Sequence, residues 1–128
     1  MNQLKAETRT AIVLITHDLG LIAEMAARVV IMYAGQVIEE AKVKDIFREP
    51  LHPYTIGLLG SVPVMGRKYA SGRGLLYEIA GVVPGLLDMP QGCRFHPRCQ
   101  KRLDICEAEP PPMLDKGHGR KVRCWLWN

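Results

Sequence analysis

The chain has 128 residues, 48% of them hydrophobic and 23% charged, with a net charge of +4, which suits one domain, or part of one with a small appended module, and excludes a disordered tail. Its longest apolar runs, AIVLIT and RVVIMYAG, fall far short of the ~20 residues that cross a bilayer. The polar start MNQLKAETRT lacks the apolar stretch of a secretion signal, so the expected address is cytosolic, where disulfides are rare.

In chain order, residues 1–10 read as the end of a helix. AIVLIT (11–16) is apolar without alternation and β-branched at Ile12, Val13, Ile15 and Thr16, the pattern of a parallel strand buried on both faces. Asp18 is a good N-cap for a helix carrying Leu21, Ile22, Met25, Ala26 and Val29 at helical spacing. RVVIMYAGQVIEE (28–40) gives two strand signals around Ala34-Gly35, a hairpin. VKDIFREP (43–50) predicts a short helix stopped by Pro50, because the residue before proline avoids helical geometry. HPYTIGLLGSV (52–62) restarts with Pro53 in a first helical turn, with Tyr54 packed on the core. From 63 to 92 periodicity fades into a Gly/Pro-rich connector, and LLYEIAGVV (75–83) is the stretch expected to pair as a strand. A strand apolar on both faces needs sheet neighbours and helices above and below. The chain supplies too few elements for that surround, so the expectation is the C-terminal part of a larger α/β domain.

Chemistry concentrates in two places. ITHDLG (15–20) sets His17 just beyond the end of the expected strand, where open α/β sheets bind ligands. Its imidazole could donate to a phosphate, or merely satisfy backbone groups at a strand–helix corner. The second place is CRFHPRCQKRLDIC (93–106) with Cys124 beyond it, a C-x5-C-x6-C-x17-C pattern holding every cysteine in the chain.

Three uses of those thiols compete. Disulfides would allow three connectivities, but suit the expected compartment poorly. Zinc prefers tight C-x2–4-C pairs, absent from this spacing. A [4Fe–4S] cubane is larger and tolerates wider spacing, though neither common ferredoxin pattern is matched. His96 could ligate, but four cysteines already complete a site.

Charge follows the cysteines. Residues 1–92 carry nine basic and nine acidic groups, whereas residues 93–124 carry eight basic against four acidic. Arg94, Arg98, Lys101 and Arg123 are expected to offset four thiolates. That accounts for the basic excess without nucleic acid. Trp125 and Trp127 are expected to pack over the site.

THDL, a helix and RVVIMYAGQVIEE together resemble the switch-histidine segment of ABC transporter ATPases. VKDIFREPLHPYTIGLLGSVP and PGLLDMPQGCRFHPRC resemble the oligopeptide/dipeptide importer branch of that family, over residues ~11 to 127. Ala27 stands where Asp commonly precedes Arg28, and Ala41-Lys42 where Gly-Pro is usual. The resemblance implies that His17 contacts the γ-phosphate of ATP, and that the general-base glutamate lies outside this sequence. It also implies a C-terminal module similar to those carrying a [4Fe–4S] cluster on Cys93, Cys99, Cys106 and Cys124, which favours iron–sulfur over zinc.

The implied fold is α/β: residues 1–62 as the C-terminal part of a P-loop ATPase domain, 63–92 as connector and 93–128 as an irregular cysteine module. The implied partners are a second ATP-binding subunit, transmembrane permeases and, indirectly, a peptide-binding protein, at the cytoplasmic side of the membrane. The sequence contains no G-x-x-x-x-G-K-[ST] loop and no LSGGQ. ATP and Mg²⁺ therefore belong to a complete domain, and the chain alone is expected to be inactive. The alternative is a metal-stapled interaction or nucleic-acid-binding module.

Overall fold

The computed structural model describes residues 11–62, 78–85 and 87–128. The expected helix end at 1–10 and the first part of LLYEIAGVV lie outside them. Helix α1, Leu19–Met25, begins where the Asp18 carboxylate accepts the Leu21 amide at 3.0 Å and ends as Ala26 turns extended, so Val29, expected on this helix, falls in the strand that follows. Strands β1, Arg28–Tyr33, and β2, Gln36–Lys42, form the expected antiparallel hairpin. Its two-residue turn needs positive φ at both positions, the geometry that matches strand twist. Ala34 takes φ 46° and Gly35 φ 76°.

Val29, Ile31 and Tyr33 alternate inward along β1 and pack with Ile38, Ala41, Ile46 and Phe95 in the main core. Each fully buried aliphatic there stabilises the fold by roughly 1.5–3 kcal/mol. The register slips between Ile31 and Met32, so that Ile31 faces Glu39 while Met32 faces Val37. Ile38 is the extra residue of a β-bulge, and Ile38 and Glu39 are consequently both buried.

Helix α2, Val43–Arg48, inserts Ile46 beneath the hairpin and stops before Pro50. Helix α3, Pro53–Gly60, starts on proline as expected. Beyond the connector come a 3-10 turn at His96–Arg98, the one-turn helix α4 at Ile105–Ala108, and strands β3 (Leu114–Asp115) and β4 (Lys121–Val122). A second 3-10 turn, Trp125–Trp127, follows. β4 pairs with β2 through Glu39–Val122 and Glu40–Lys121, giving one antiparallel sheet in the order β1-β2-β4-β3. The last segment thus adds to the sheet begun by the hairpin.

The fold is mixed α/β, and two expectations are corrected. AIVLIT forms no ladder: Val13 is 87% and Ile15 94% exposed, and no strand among the described residues pairs with it or covers it. Residues 78–83 form no strand either. The chain turns at Gly81 (φ 83°), and the carbonyls of Ile79 and Ala80 are taken by the Arg98 guanidinium at 2.7 and 2.9 Å. Among the described residues no helix is long and apolar enough to cross a membrane.

Candidate functional site

The four cysteines arrive on separate turns of chain. Cys93 follows Gly92, Cys99 closes the first 3-10 turn, Cys106 sits within α4 and Cys124 lies in extended chain after β4. All four are free thiols; Cys106 and Cys124 are buried and the other two half-buried. The Cys93 amide donates to the Cys106 carbonyl at 2.8 Å, and the Leu103 amide points at Cys106 Sγ, 3.5 Å away. That crossing requires glycine at 92, whose φ is 68° and whose missing Cβ would lie 2.3 Å from the Cys106 oxygen.

The thiols feel one another. Burial pushes Cys124 up to about 11, and Cys93, Cys99 and Cys106 add to the rise. Burial also raises Cys93 and Cys99, with Cys106 the leading neighbouring sulfur in both cases. Four thiolates so placed, two buried and two half-buried, would repel one another unless a cationic core lay between them. In kind, the donor set fits a thiolate-held centre. As the side chains stand, however, no three His, Cys, Asp or Glu among the described residues form a group that could hold a metal ion. Mutual charge reaches farther than a bond, so both observations hold, and loading would have to draw the sulfurs together.

The expected charge balance is different in detail. Arg94 donates to the Ala34 carbonyl, and Arg98 to Ile79, Ala80 and the Tyr33 hydroxyl. Arg123 donates to Val37 and Pro111 at 3.0 and 3.1 Å. These arginines bind backbone carbonyls and lace the segment to the hairpin and connector. Lys101 and Arg102 are the cations that ease ionisation of Cys99. His96 holds Nδ1 against the Cys93 carbonyl at 2.9 Å. The tryptophans, expected over the thiols, tie the tail down: Trp125 Nε1 donates to Glu109 and Trp127 Nε1 to the Leu51 carbonyl, each at 2.9 Å.

Sequence reasoning gave the HPY stretch no chemistry and overlooked Glu39. The Glu39 carboxylate, 1% exposed, accepts the Leu51 amide at 2.7 Å and the His52 amide at 2.9 Å. His52, also 1% exposed, then caps α3 by accepting the Tyr54 amide on Nδ1 at 3.0 Å. Phe95 of the cysteine segment packs among Tyr33, Tyr54 and His52, with centroids 5.1, 5.5 and 5.7 Å away. One signal was available: two adjacent glutamates in a strand cannot both face water unless the alternation breaks.

Burial lowers His52 from 6.5 to about 4. Above pH 6.5 the ring is neutral folded or unfolded. Below it the unfolded chain takes a proton that the fold refuses, so stability falls with falling pH until about 4. At about 1.4 kcal/mol per pH unit, the loss approaches ~3 kcal/mol between 6.5 and 4. Urea midpoints recorded across that window should show it, and His52→Asn, which keeps a cap acceptor, should remove this component of the acid dependence.

His17 lies exposed in the bend before α1, beside Asp18, whose amide donates to Thr16 Oγ1 at 3.0 Å. The structure brings it to none of the cysteines' partners named above. Residues 38–106, more than half of the chain, match the family model described as the oligopeptide/dipeptide transporter, C-terminal region. The chain belongs to that family. The oligopeptide/dipeptide transporter match runs from the bulge of β2 to Cys106 and so takes in Glu39, His52 and three of the cysteines.

Over 127 residues the chain is 49% identical to the oligopeptide transport ATP-binding protein AppD of Bacillus subtilis, covering 99% of this chain and 38% of that protein. It is 46% identical to the dipeptide transport ATP-binding protein DppD of Haemophilus influenzae, covering 95% of this chain and 36% of the relative. It is also 46% identical to the oligopeptide transport ATP-binding protein OppD of Escherichia coli, with 87% and 32% covered. The chain thus spans about a third, 32–38%, of the length of these relatives.

Proposed function

We propose that the chain is part of the ATP-binding motor subunit of an ABC-type peptide importer, contributing the switch histidine His17 and a C-terminal [4Fe–4S] module. The observation that carries this reading is the family match over 38–106, together with likeness across 99% of the chain to a protein named for oligopeptide transport and ATP binding. In this reading residues 1–62 belong to the ATPase domain, 63–92 connect, and 93–128 form the module. The subunit sits at the cytoplasmic face of the membrane. It works with a second ATP-binding subunit and two permeases, and an external peptide-binding protein delivers the cargo; nucleic acid has no part.

ATP and Mg²⁺ would be held largely by segments outside this sequence, which lacks the phosphate loop. His17 would donate a hydrogen bond to the terminal phosphate, which the exposure of its bend leaves room for. The cluster, when bound, would supply a cross-link among four turns of chain, and Cys93, Cys99, Cys106 and Cys124 would hold it. Their burial and mutual repulsion as thiolates support that role, because a bound cationic core relieves both. A small Gly/Pro-rich segment gains most from such a staple.

The motor reading is tested by grafting. Put in place of the equivalent stretch of AppD, the chain should support uptake of a labelled oligopeptide in Bacillus subtilis, and His17→Ala should stop it at unchanged protein level. A graft that is stably made yet inert, or a His17→Ala graft that still transports, overturns the assignment. The module is tested by anaerobic purification with iron, zinc and sulfide analysis. Iron with sulfide is the expected result, and each Cys→Ser substitution should lower both. One zinc without sulfide, or no bound metal, removes the cluster.

A further inference from the structure

We propose that Cys93 and Cys106 form a redox pair that closes to a disulfide when no metal holds them, leaving Cys99 and Cys124 as thiols. The pairing follows from how the chain crosses itself. Gly92 lies so close to the start of the Cys106–Glu107 peptide that a Cβ would meet its oxygens at 2.3 and 2.8 Å. The next residue, Cys93, donates its amide directly to the Cys106 carbonyl at 2.8 Å. A direct backbone bond of that kind is compatible with the roughly 4.4–6.8 Å between α-carbons that a disulfide spans.

The other two cysteines are anchored differently. The Cys99 amide is bound to His96, and the Cys99 carbonyl accepts from Arg102. Cys124 packs with Leu51 and Val122 in a separate buried cluster. Access orders the two members of the pair: Cys93, like Cys99, is half-buried, whereas Cys106, like Cys124, is buried. Within the pair, a small peroxide reaches Cys93 before Cys106.

The reaction balances in two steps. Hydrogen peroxide oxidises the Cys93 thiol to a sulfenic acid and leaves as one water. The Cys106 thiol then attacks that sulfur, the S–S bond forms, the S–O bond breaks and a second water departs. Two electrons pass from the two sulfurs to the peroxide. The bridge stands independently of the metal reading. Its consequence, that oxidation removes two of four ligands and bars reloading until a thiol reductant acts, rests on that reading.

The test uses the full chain, reduced and metal-free, treated with stoichiometric hydrogen peroxide without air, alkylated and digested under non-reducing conditions. Mass spectrometry should find the Cys93–Cys106 linked peptide as the dominant bridge, with Cys99 and Cys124 alkylated. Cys99→Ser should keep it, and Cys93→Ser and Cys106→Ser should each lose it. A dominant Cys99–Cys106 or Cys99–Cys124 bridge, a statistical mixture, or Cys93 over-oxidised without a bridge overturns the pairing. Metal analysis of untreated protein keeps the two readings apart. A chain that never loads metal yet forms the bridge leaves the pair standing, and one that loads a cluster but scrambles its bridges removes only the pair.

Discussion

Replacing Glu39 with alanine is expected to destabilise the chain by about 3–6 kcal/mol, because two charge-assisted hydrogen bonds are lost and both amide partners are stranded away from water. The carboxylate is 1% exposed and receives Leu51 and His52 N–H at 2.7 and 2.9 Å. Those amides lead into α3, so their loss also loosens the cap that His52 places on Tyr54. Glu39→Gln keeps one acceptor but turns an NH₂ toward the second amide, and should fall between. Urea unfolding followed by far-UV circular dichroism measures both. A Glu39→Ala loss below about 1 kcal/mol, the scale of a single exposed bond, would show that water replaces the carboxylate and that the node is not a structural anchor.

Gly92→Ala is expected to cost about 3–5 kcal/mol, combining backbone strain at positive φ with overpacking against a main-chain atom. The new methyl would sit 2.3 Å from the Cys106 oxygen at φ 68°, and the obstructing atoms are backbone. Relief comes only by parting the two strands of the crossing, which breaks the Cys93–Cys106 backbone bond. The substitution should therefore lower the melting temperature and, on the proposed cluster reading, the metal content with it. Gly117→Ala is a useful control: it shares a positive φ of 78° but meets nothing within 4 Å, so it should show the strain alone. Equal losses from the two variants would mean that the crossing is not tightly packed.

What could be read from the sequence is what local chemistry decides. Asp18, Pro50, Pro53 and Ala34-Gly35 each act within four residues, and the helix starts, stop and hairpin turn fall where they dictate. What could not be read depends on distant partners. The Glu39 carboxylate bonds 12 and 13 residues away, Arg98 reaches 65 residues back to Tyr33, and Arg123 reaches 86 back to Val37. A basic run near cysteines therefore suggested thiolate neutralisation, which Lys101 supplies at Cys99, while Arg94, Arg98 and Arg123 stitch carbonyls. The bulge at Ile38 escaped for the same reason, since one extra residue is visible only once β1 and β2 are paired. AIVLIT has the composition of a buried strand but forms none, because a strand needs a ladder and none of the described strands offers one.

Leu51 is held from both sides, its amide by Glu39 and its carbonyl by the Trp127 indole. The first bond fastens the mid-chain loop to β2 and the second fastens it to the 3-10 turn at Trp125–Trp127, so Leu51 couples the two. In deuterium exchange, the Leu51 amide should label slowly and in step with the amides of the closing turn.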